Sequence, residues 1–221
     1  IYNIVDRIFV GHCVGSIGLA AIIVCFPMMI VMMAFTMLIC TGGASRVAIL
    51  YGSGRIKDAE QALTTVFVLL GAVGLLAAFS SFFISAPAIR IAGGKGEVLI
   101  MALPYLRIIM IGSPFAMFGF GANFLIRASG KPRYAMCTQL VGAGSNIIFD
   151  ALFMIVFGMG IEGAAYGTVA AQALSAAVGL AFFWRKDTPL NIRREFIGLP
   201  KFDVLKRIVS VGSSGFFVEI S

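Results

Sequence analysis

The chain has 221 residues, of which 60% are hydrophobic and only 12% are charged, and its formal net charge is +7. A soluble globular domain would be about half apolar and about a quarter charged. The composition therefore excludes an ordinary soluble domain and predicts a protein that lies in a lipid bilayer. The basic surplus does not indicate nucleic-acid binding, because basic loops are typical of membrane proteins.

Four long stretches of the sequence carry no charged residue, and each is long enough or nearly long enough to cross ~30 Å of hydrocarbon as an α-helix. They are residues 13–45, 61–89, 134–149 and 163–184. These stretches are apolar on every face, whereas the strands of a transmembrane barrel alternate apolar and polar positions. The sequence predicts an all-α polytopic membrane protein.

Turn-rich joints divide the chain into seven predicted helices. The first predicted helix ends near residue 11. The second to sixth span, in chain order, about 16–45 or beyond, 59–86, 98–126, 133–157 and 163–184, and the seventh begins after residue 202. The sequence starts and stops within apolar runs, so we expect a fragment cut inside its first and last helices. Gly163 and Gly167 recur at helical spacing, which indicates close helix packing.

The charges in the loops predict how the helices are oriented. When the joints are assigned alternately to the two sides, one side receives 13 of the 17 basic residues. These are Arg46, Arg55, Lys57, Arg127, Lys131, Arg133, Arg185, Lys186, Arg193, Arg194, Lys201, Lys206 and Arg207. The positive-inside rule assigns this side to the cytoplasm, so the first predicted helix runs outward.

Polar side chains of three predicted helices are expected at one level of the membrane. Asp150, Asp6 and Thr168 lie seven, five and five residues from the outer ends of the fifth, first and sixth helices. At a rise of ~1.5 Å per residue, this level is roughly 8 to 10 Å below the outer interface. Asn146 lies one turn deeper than Asp150 on the same helical face. Ionisable groups inside a span are costly, so they usually have a function.

Two carboxylates, an amide and a hydroxyl at this depth can hold a proton or a small hard cation, which prefers oxygen ligands. The same groups can instead form a hydrogen-bonded cluster that only fixes helix register. Two acids without an evident basic partner make a poor stabilising pair, which favours ion binding. Arg107, within the fourth helix, either snorkels to the outer surface or lines a cavity. No motif resembles a nucleophile triad, a zinc site or a Walker motif, so we expect no enzyme.

Seven short motifs follow one another in a way that resembles the multidrug and toxic compound extrusion transporters. They are YNIVD (2–6), FVG (9–11), LAA (19–21), TGGAS (41–45), RASGKPR (127–133), NIIFD (146–150) and GMGIEGAA (158–165). Each motif alone is weak, but together they cover essentially the whole chain in the family's order and spacing.

Members of that family have twelve helices in two six-helix lobes. The resemblance implies that residues 1–184 form the N-terminal six-helix lobe with a truncated first helix. Residues 185–203 would then be a cytoplasmic inter-lobe linker, and residues 204–221 the start of the second lobe. The missing C-terminal lobe of the same protein is the implied protein partner.

The family's N-terminal lobe binds its cation with an Asp on the first helix, an Asn and an Asp on the fifth, and a Thr on the sixth. The resemblance places these ligands at Asp6, Asn146, Asp150 and Thr168. Some members also carry a functional acid on the seventh helix. Glu219 either matches that acid as a second acidic site or has a solvent-side or packing role.

The resemblance therefore implies a secondary active antiporter in the plasma membrane, typical of a bacterial or archaeal cytoplasmic membrane. It would export cationic or amphipathic drugs or toxins in exchange for H+ or Na+, with no other cofactor or metal. The alternative is a lipid-linked precursor flippase of the same superfamily, which would need a more cationic cavity.

Overall fold

The computed structural model describes residues 9–185, 188–196, 208–213, 215–216 and 218. Within these residues the regular structure is helical and no strand occurs, so the predicted all-α fold is confirmed. The helices are α1 (residues 9–13), α2 (Ser16–Gly52), α3 (Ile56–Ile91), α4 (Gly96–Ile111), α5 (Ser113–Ala128), α6 (Pro132–Asp150), α7 (Gly160–Trp184) and α8 (residues 208–213). A π-helical segment, Ala151–Val156, extends α6, and Arg194–Phe196 form a 3-10 turn.

In the described part of the chain, four helices are long and apolar enough to cross a membrane, namely α2, α3, α7 and α6 with its π-helical extension. The bent pair α4 and α5 makes a fifth span if the two are counted together. α2 and α3 have 37 and 36 residues, so each is roughly 55 Å long at ~1.5 Å per residue. Both exceed the ~30 Å of hydrocarbon and therefore cross at a tilt or extend past it.

The fourth predicted helix is not continuous, because it is bent by 49° between α4 and α5. Pro114 lacks the backbone N–H that would continue the α-helical hydrogen bonds through this point. The Ser113 hydroxyl instead donates to the Gly74 carbonyl of α3 at 3.0 Å. Pro104 lies inside α4 without interrupting it, so a proline alone does not account for the break.

The backbone forms two compact units. The first unit contains residues 9–30, Gly74–Ala116 and Leu140–Leu174, and the second contains Val31–Val73, Met117–Gln139 and the described residues from 175 onward. The core of the second unit is apolar and includes fully buried Leu63, Leu125 and Phe183. Gly43 faces Val66 in this core, where an added Cβ would overlap the valine side chain.

Residues 188–196 are part of the second unit, and hydrogen bonds, an ion pair and one buried leucine hold them against the rest of it. Leu190 is fully buried in its core, and the backbone N–H of Asn191 donates to the Glu60 carboxylate at 3.2 Å. Glu60 lies near the start of α3, is 2% exposed and forms an ion pair with Arg193. The backbone N–H of Arg193 also donates to the Thr64 hydroxyl at 3.4 Å. The domain boundaries predicted around this segment stay a prediction.

We expect Arg193→Ala to lower the free energy of unfolding of the full-length protein. The loss should be about 2 kcal/mol, less than the ~3–5 kcal/mol for breaking a fully buried ion pair, because Arg193 is half-exposed. Hydrogen exchange in residues 188–196 should rise in parallel. Arg55→Ala is the matched control, since its ion pair with Asp58 is exposed on both sides. Equal losses in the two variants would contradict a special role for the Glu60 pair.

Candidate functional site

Three of the predicted site residues meet in the first unit, where the last turn of α6 faces α7. Asn146, Asp150 and Thr168 are 1%, 0% and 4% exposed. Nδ2 of Asn146 donates to Oδ2 of Asp150 at 3.1 Å and to the hydroxyl oxygen of Thr168 at 3.4 Å. The amide thus links the carboxylate on one helix to the hydroxyl on the next. These three side chains are called the polar cluster below.

The orientation of the Asn146 amide follows from the chemistry of its neighbours. In the structure the NH2 group of this amide points toward Asp150, and a carboxyl oxygen can accept such a hydrogen bond whether or not the group carries a proton. The spacing of four residues places both side chains on one face of α6. Burial of a charged group is costly unless hydrogen bonds compensate for it, and the polar cluster supplies such bonds at the most buried acid among the described residues of the first unit.

Gly167 brings the two helices close together at the polar cluster. A Cβ added to this glycine would overlap Oδ1 of Asp150 and would lie 3.0 Å from the Asp150 backbone nitrogen. One turn earlier, a Cβ on Gly163 would lie 3.0 Å from the backbone carbonyl of Phe153. The glycine pair predicted to allow close packing therefore packs directly on the segment that carries the carboxylate.

The helix changes its hydrogen-bond pattern immediately after Asp150. Ala151–Val156 form a π-helical turn, and the N–H of Phe157 donates to the carbonyl of Leu152, five residues earlier, at 3.0 Å. Such turns within α-helices are frequent at functional sites. The ring of Phe153 in this turn lies 6.4 Å from that of Tyr166 on α7, so an aromatic contact accompanies the polar one.

Asp6 and Glu219 fall outside the described residues. Arg107 is partly buried on α4 in the first unit, and its Nε has no hydrogen-bond partner among the residues that the structure describes.

The polar cluster suits a single positive charge. It contains one carboxylate together with a neutral amide and a neutral hydroxyl, all of them oxygen-bearing groups of the kind that hard cations prefer. Within the described ranges, no group of three or more His, Cys, Asp or Glu side chains could hold a metal ion. This arrangement can hold a proton on the carboxylate or offer oxygens to a monovalent cation.

The sequence predicted close packing at Gly167 but not its contact with Asp150, and it did not predict the π-helical turn. Gly167 directly precedes Thr168. Its spacing from Gly163 predicts that a helix packs closely there, but not that the packed segment carries Asp150. The π-helical turn has no such signal, because Ala151–Val156 contains neither glycine nor proline.

A family model, curated relatives and solved structures all indicate similarity to one family of membrane proteins. The MatE family model matches residues 1–152. Multidrug export protein MepA of Staphylococcus aureus (strain MSSA476) is 26% identical over 223 residues, which is 100% of this chain and 49% of MepA.

Two solved structures are similar over 99% of this chain. The MATE multidrug transporter DinF-BH has a TM-score of 0.92 and 31% identity, with 49% of that chain covered. A MOP superfamily transporter from Pyrococcus furiosus Vc1 (DSM3638), whose reverse polarity of the binding pocket suggests a different function, has a TM-score of 0.90 and 26% identity, with 48% covered.

The apolar spans and these similarities define a multi-pass membrane protein. The chain belongs to the MatE family of multidrug export transporters, which are not enzymes. The resemblance inferred from the seven motifs is confirmed, as is the location in the cytoplasmic membrane of bacteria. The chain spans about half the length of the curated relatives it matches.

Proposed function

We propose that the full-length protein is a secondary active antiporter that exports cationic or amphipathic small molecules in exchange for H+ or Na+. The buried Asp150 carboxylate, joined through Asn146 to Thr168, supports this most strongly. A charged Asp at the centre of a span costs ~2.5–3.5 kcal/mol on insertion scales, so such acids usually serve a function. Asp6 is proposed as the second carboxylate of the site, and Glu219 as a further acidic site.

Coupling in this proposal depends on the charge of the polar cluster. Binding of H+ or Na+ neutralises Asp150, which changes the electrostatic energy of the contact between α6 and α7. An ion shifts a conformational equilibrium only by the difference between its affinities for the two states. The proposal therefore requires that the ion and the exported molecule bind with higher affinity to opposite states.

We further propose that a second lobe of the same protein completes the transport cavity. The curated relatives are about twice as long as this chain, and rocking of two repeats about a shared site is a common transport mechanism. The lipid bilayer and a small-molecule substrate are the other partners.

A flippase for lipid-linked precursors is the second candidate. Arg107 favours it, because its buried Nε has no hydrogen bond within the described part of the chain and a cation can meet a pyrophosphate. The Pyrococcus furiosus transporter is similar to this chain and is described with a pocket of reverse polarity. The antiporter is preferred because Asp150 is fully buried, whereas Arg107 is only partly buried.

Transport in proteoliposomes containing the full-length protein tests this proposal. An imposed H+ or Na+ gradient is expected to drive tetraphenylphosphonium against its own gradient. A protonophore or a Na+ ionophore, added separately, identifies the coupling ion. Movement of a fluorescent lipid-linked pyrophosphate, without any gradient-driven movement of tetraphenylphosphonium, would contradict the antiporter and support the flippase.

Thr168→Val is expected to slow gradient-driven export about tenfold, since the loss of one buried hydrogen-bonding group costs ~1–3 kcal/mol. Thr168→Ser keeps the hydroxyl and should retain most of the wild-type rate. Initial rates of tetraphenylphosphonium movement in the same vesicles measure both variants. If Thr168→Val exports at the wild-type rate, the hydroxyl of Thr168 is not needed for export.

A further inference from the structure

A groove of about 540 Å³ opens beside the turn between α5 and α6, in the second unit. It is lined by residues 130–134 and Cys137, and two of these, Lys131 and Arg133, are exposed cations. In the part of the chain that the structure describes, neither cation has a carboxylate within 4.0 Å. The ion pairs found there involve Arg55 and Arg193 instead.

The wall of this groove is held in place by local contacts. Gly130 adopts a left-handed conformation with φ of 80°, and the backbone N–H of Lys131 donates to the carbonyl of Ile126 at 3.2 Å. The ring of Tyr134 lies 4.7 Å from that of Phe182 on α7. Because its backbone turn and its aromatic wall are both anchored, the groove exists before any ligand binds.

An exposed apolar stripe continues from the cations along α6. Met136 and Cys137 are both exposed and follow Arg133 at helical spacing. Met136 lies ~5 Å along the helix from Arg133, at ~1.5 Å per residue. The orientation predicted from the loop charges puts the cations at the cytoplasmic surface and the stripe within the hydrocarbon.

We propose that this groove binds the phosphodiester headgroup of an anionic phospholipid of the inner leaflet. Lys131 and Arg133 contact the phosphate, and the stripe of Met136 and Cys137 packs against an acyl chain. Basic pockets at the cytoplasmic side of transmembrane helices are suited to anionic headgroups. The combination of cations that have no carboxylate partner among the described residues with an apolar path beneath them favours a lipid over a soluble anion.

The turn between α2 and α3 provides a natural control within the same chain. It also contains a left-handed glycine, Gly54, with φ of 75°, followed by two basic residues two positions apart, Arg55 and Lys57. Arg55 is paired with Asp58 at 2.8 Å. Removal of this pair of cations changes the charge by the same amount on the same predicted side of the membrane.

Native mass spectrometry of the full-length protein, titrated with phosphatidylglycerol or phosphatidylcholine, tests the proposal. We expect the wild type to prefer phosphatidylglycerol. Lys131→Gln with Arg133→Gln should weaken phosphatidylglycerol binding about 25-fold, at about fivefold for each surface cation. Arg55→Gln with Lys57→Gln should leave the preference unchanged.

Three results would overturn the assignment. One is a wild-type preference for phosphatidylglycerol that persists in the Lys131 and Arg133 variant. Another is an equal loss in the Arg55 and Lys57 variant, which would indicate general surface charge. The third is displacement of the lipid by sn-glycerol 3-phosphate with the affinity of the lipid itself, which would indicate a soluble phosphate ligand.

Discussion

Asp150→Asn is expected to reduce gradient-driven export by the full-length protein about 100-fold, which corresponds to ~3 kcal/mol of lost interaction with the coupling ion. The substitution keeps the size of the side chain and an oxygen that can accept the hydrogen bond from Asn146. It removes the negative charge that the ion neutralises. Initial rates of tetraphenylphosphonium movement in proteoliposomes, under the ion gradient that drives the wild type, measure the effect.

Glu162→Gln is the matched control for this experiment. It makes the same acid-to-amide change on α7, but Glu162 is exposed, so the wild-type rate is expected. Thermal unfolding of the detergent-solubilised variants checks that both are folded. Wild-type export by Asp150→Asn would rule out Asp150 as the coupling group, and equal slowing of both variants would point to a general effect of acidic charge.

Gly167→Ala is expected to damage both the packing and the function of the polar cluster. The added Cβ would overlap Oδ1 of Asp150 and would approach the Asp150 backbone, so α6, α7 or the carboxylate must move. Overpacking of this kind costs ~1–3 kcal/mol. We expect a lower unfolding temperature and gradient-driven export at least about tenfold slower, since ~1.4 kcal/mol corresponds to a factor of ten.

Gly144→Ala provides the comparison on α6 itself. An added Cβ at Gly144 meets nothing within 4 Å, and alanine favours a helix over glycine by up to ~1 kcal/mol. This variant should unfold at the wild-type temperature or above and should export at the wild-type rate. If Gly167→Ala were equally harmless, the close approach of α7 to Asp150 would not matter for function.

The sequence predicted the features that depend on local pattern. Hydropathy identified the spanning segments, and the spacing of Asn146 and Asp150 placed both on one helical face. Depth alone put Thr168 at their level, but equal depth does not determine which helices are neighbours. The hydrogen bond from Asn146 on α6 to Thr168 on α7 is a tertiary contact. Only the family resemblance predicted that these two residues belong to one site.

The features that the sequence did not predict depend on contacts between distant segments. Pro104 and Pro114 are equally visible in the sequence, yet the helix is broken only beside Pro114, where Ser113 bonds to α3. The ion pair of Glu60 and Arg193 joins residues 133 positions apart. No local pattern encodes such a pairing.

Infrared difference spectroscopy of the purified full-length protein tests the central claim most directly, because it detects carboxyl protonation without a transport assay. Spectra are recorded as pH is lowered and as Na+ is added at fixed pH, for the wild type and for Asp150→Asn. We expect a carboxyl band that responds to H+ or Na+ in the wild type and that is lost or reduced in the variant. An identical response in both proteins would contradict the assignment of Asp150 as the cation-binding group.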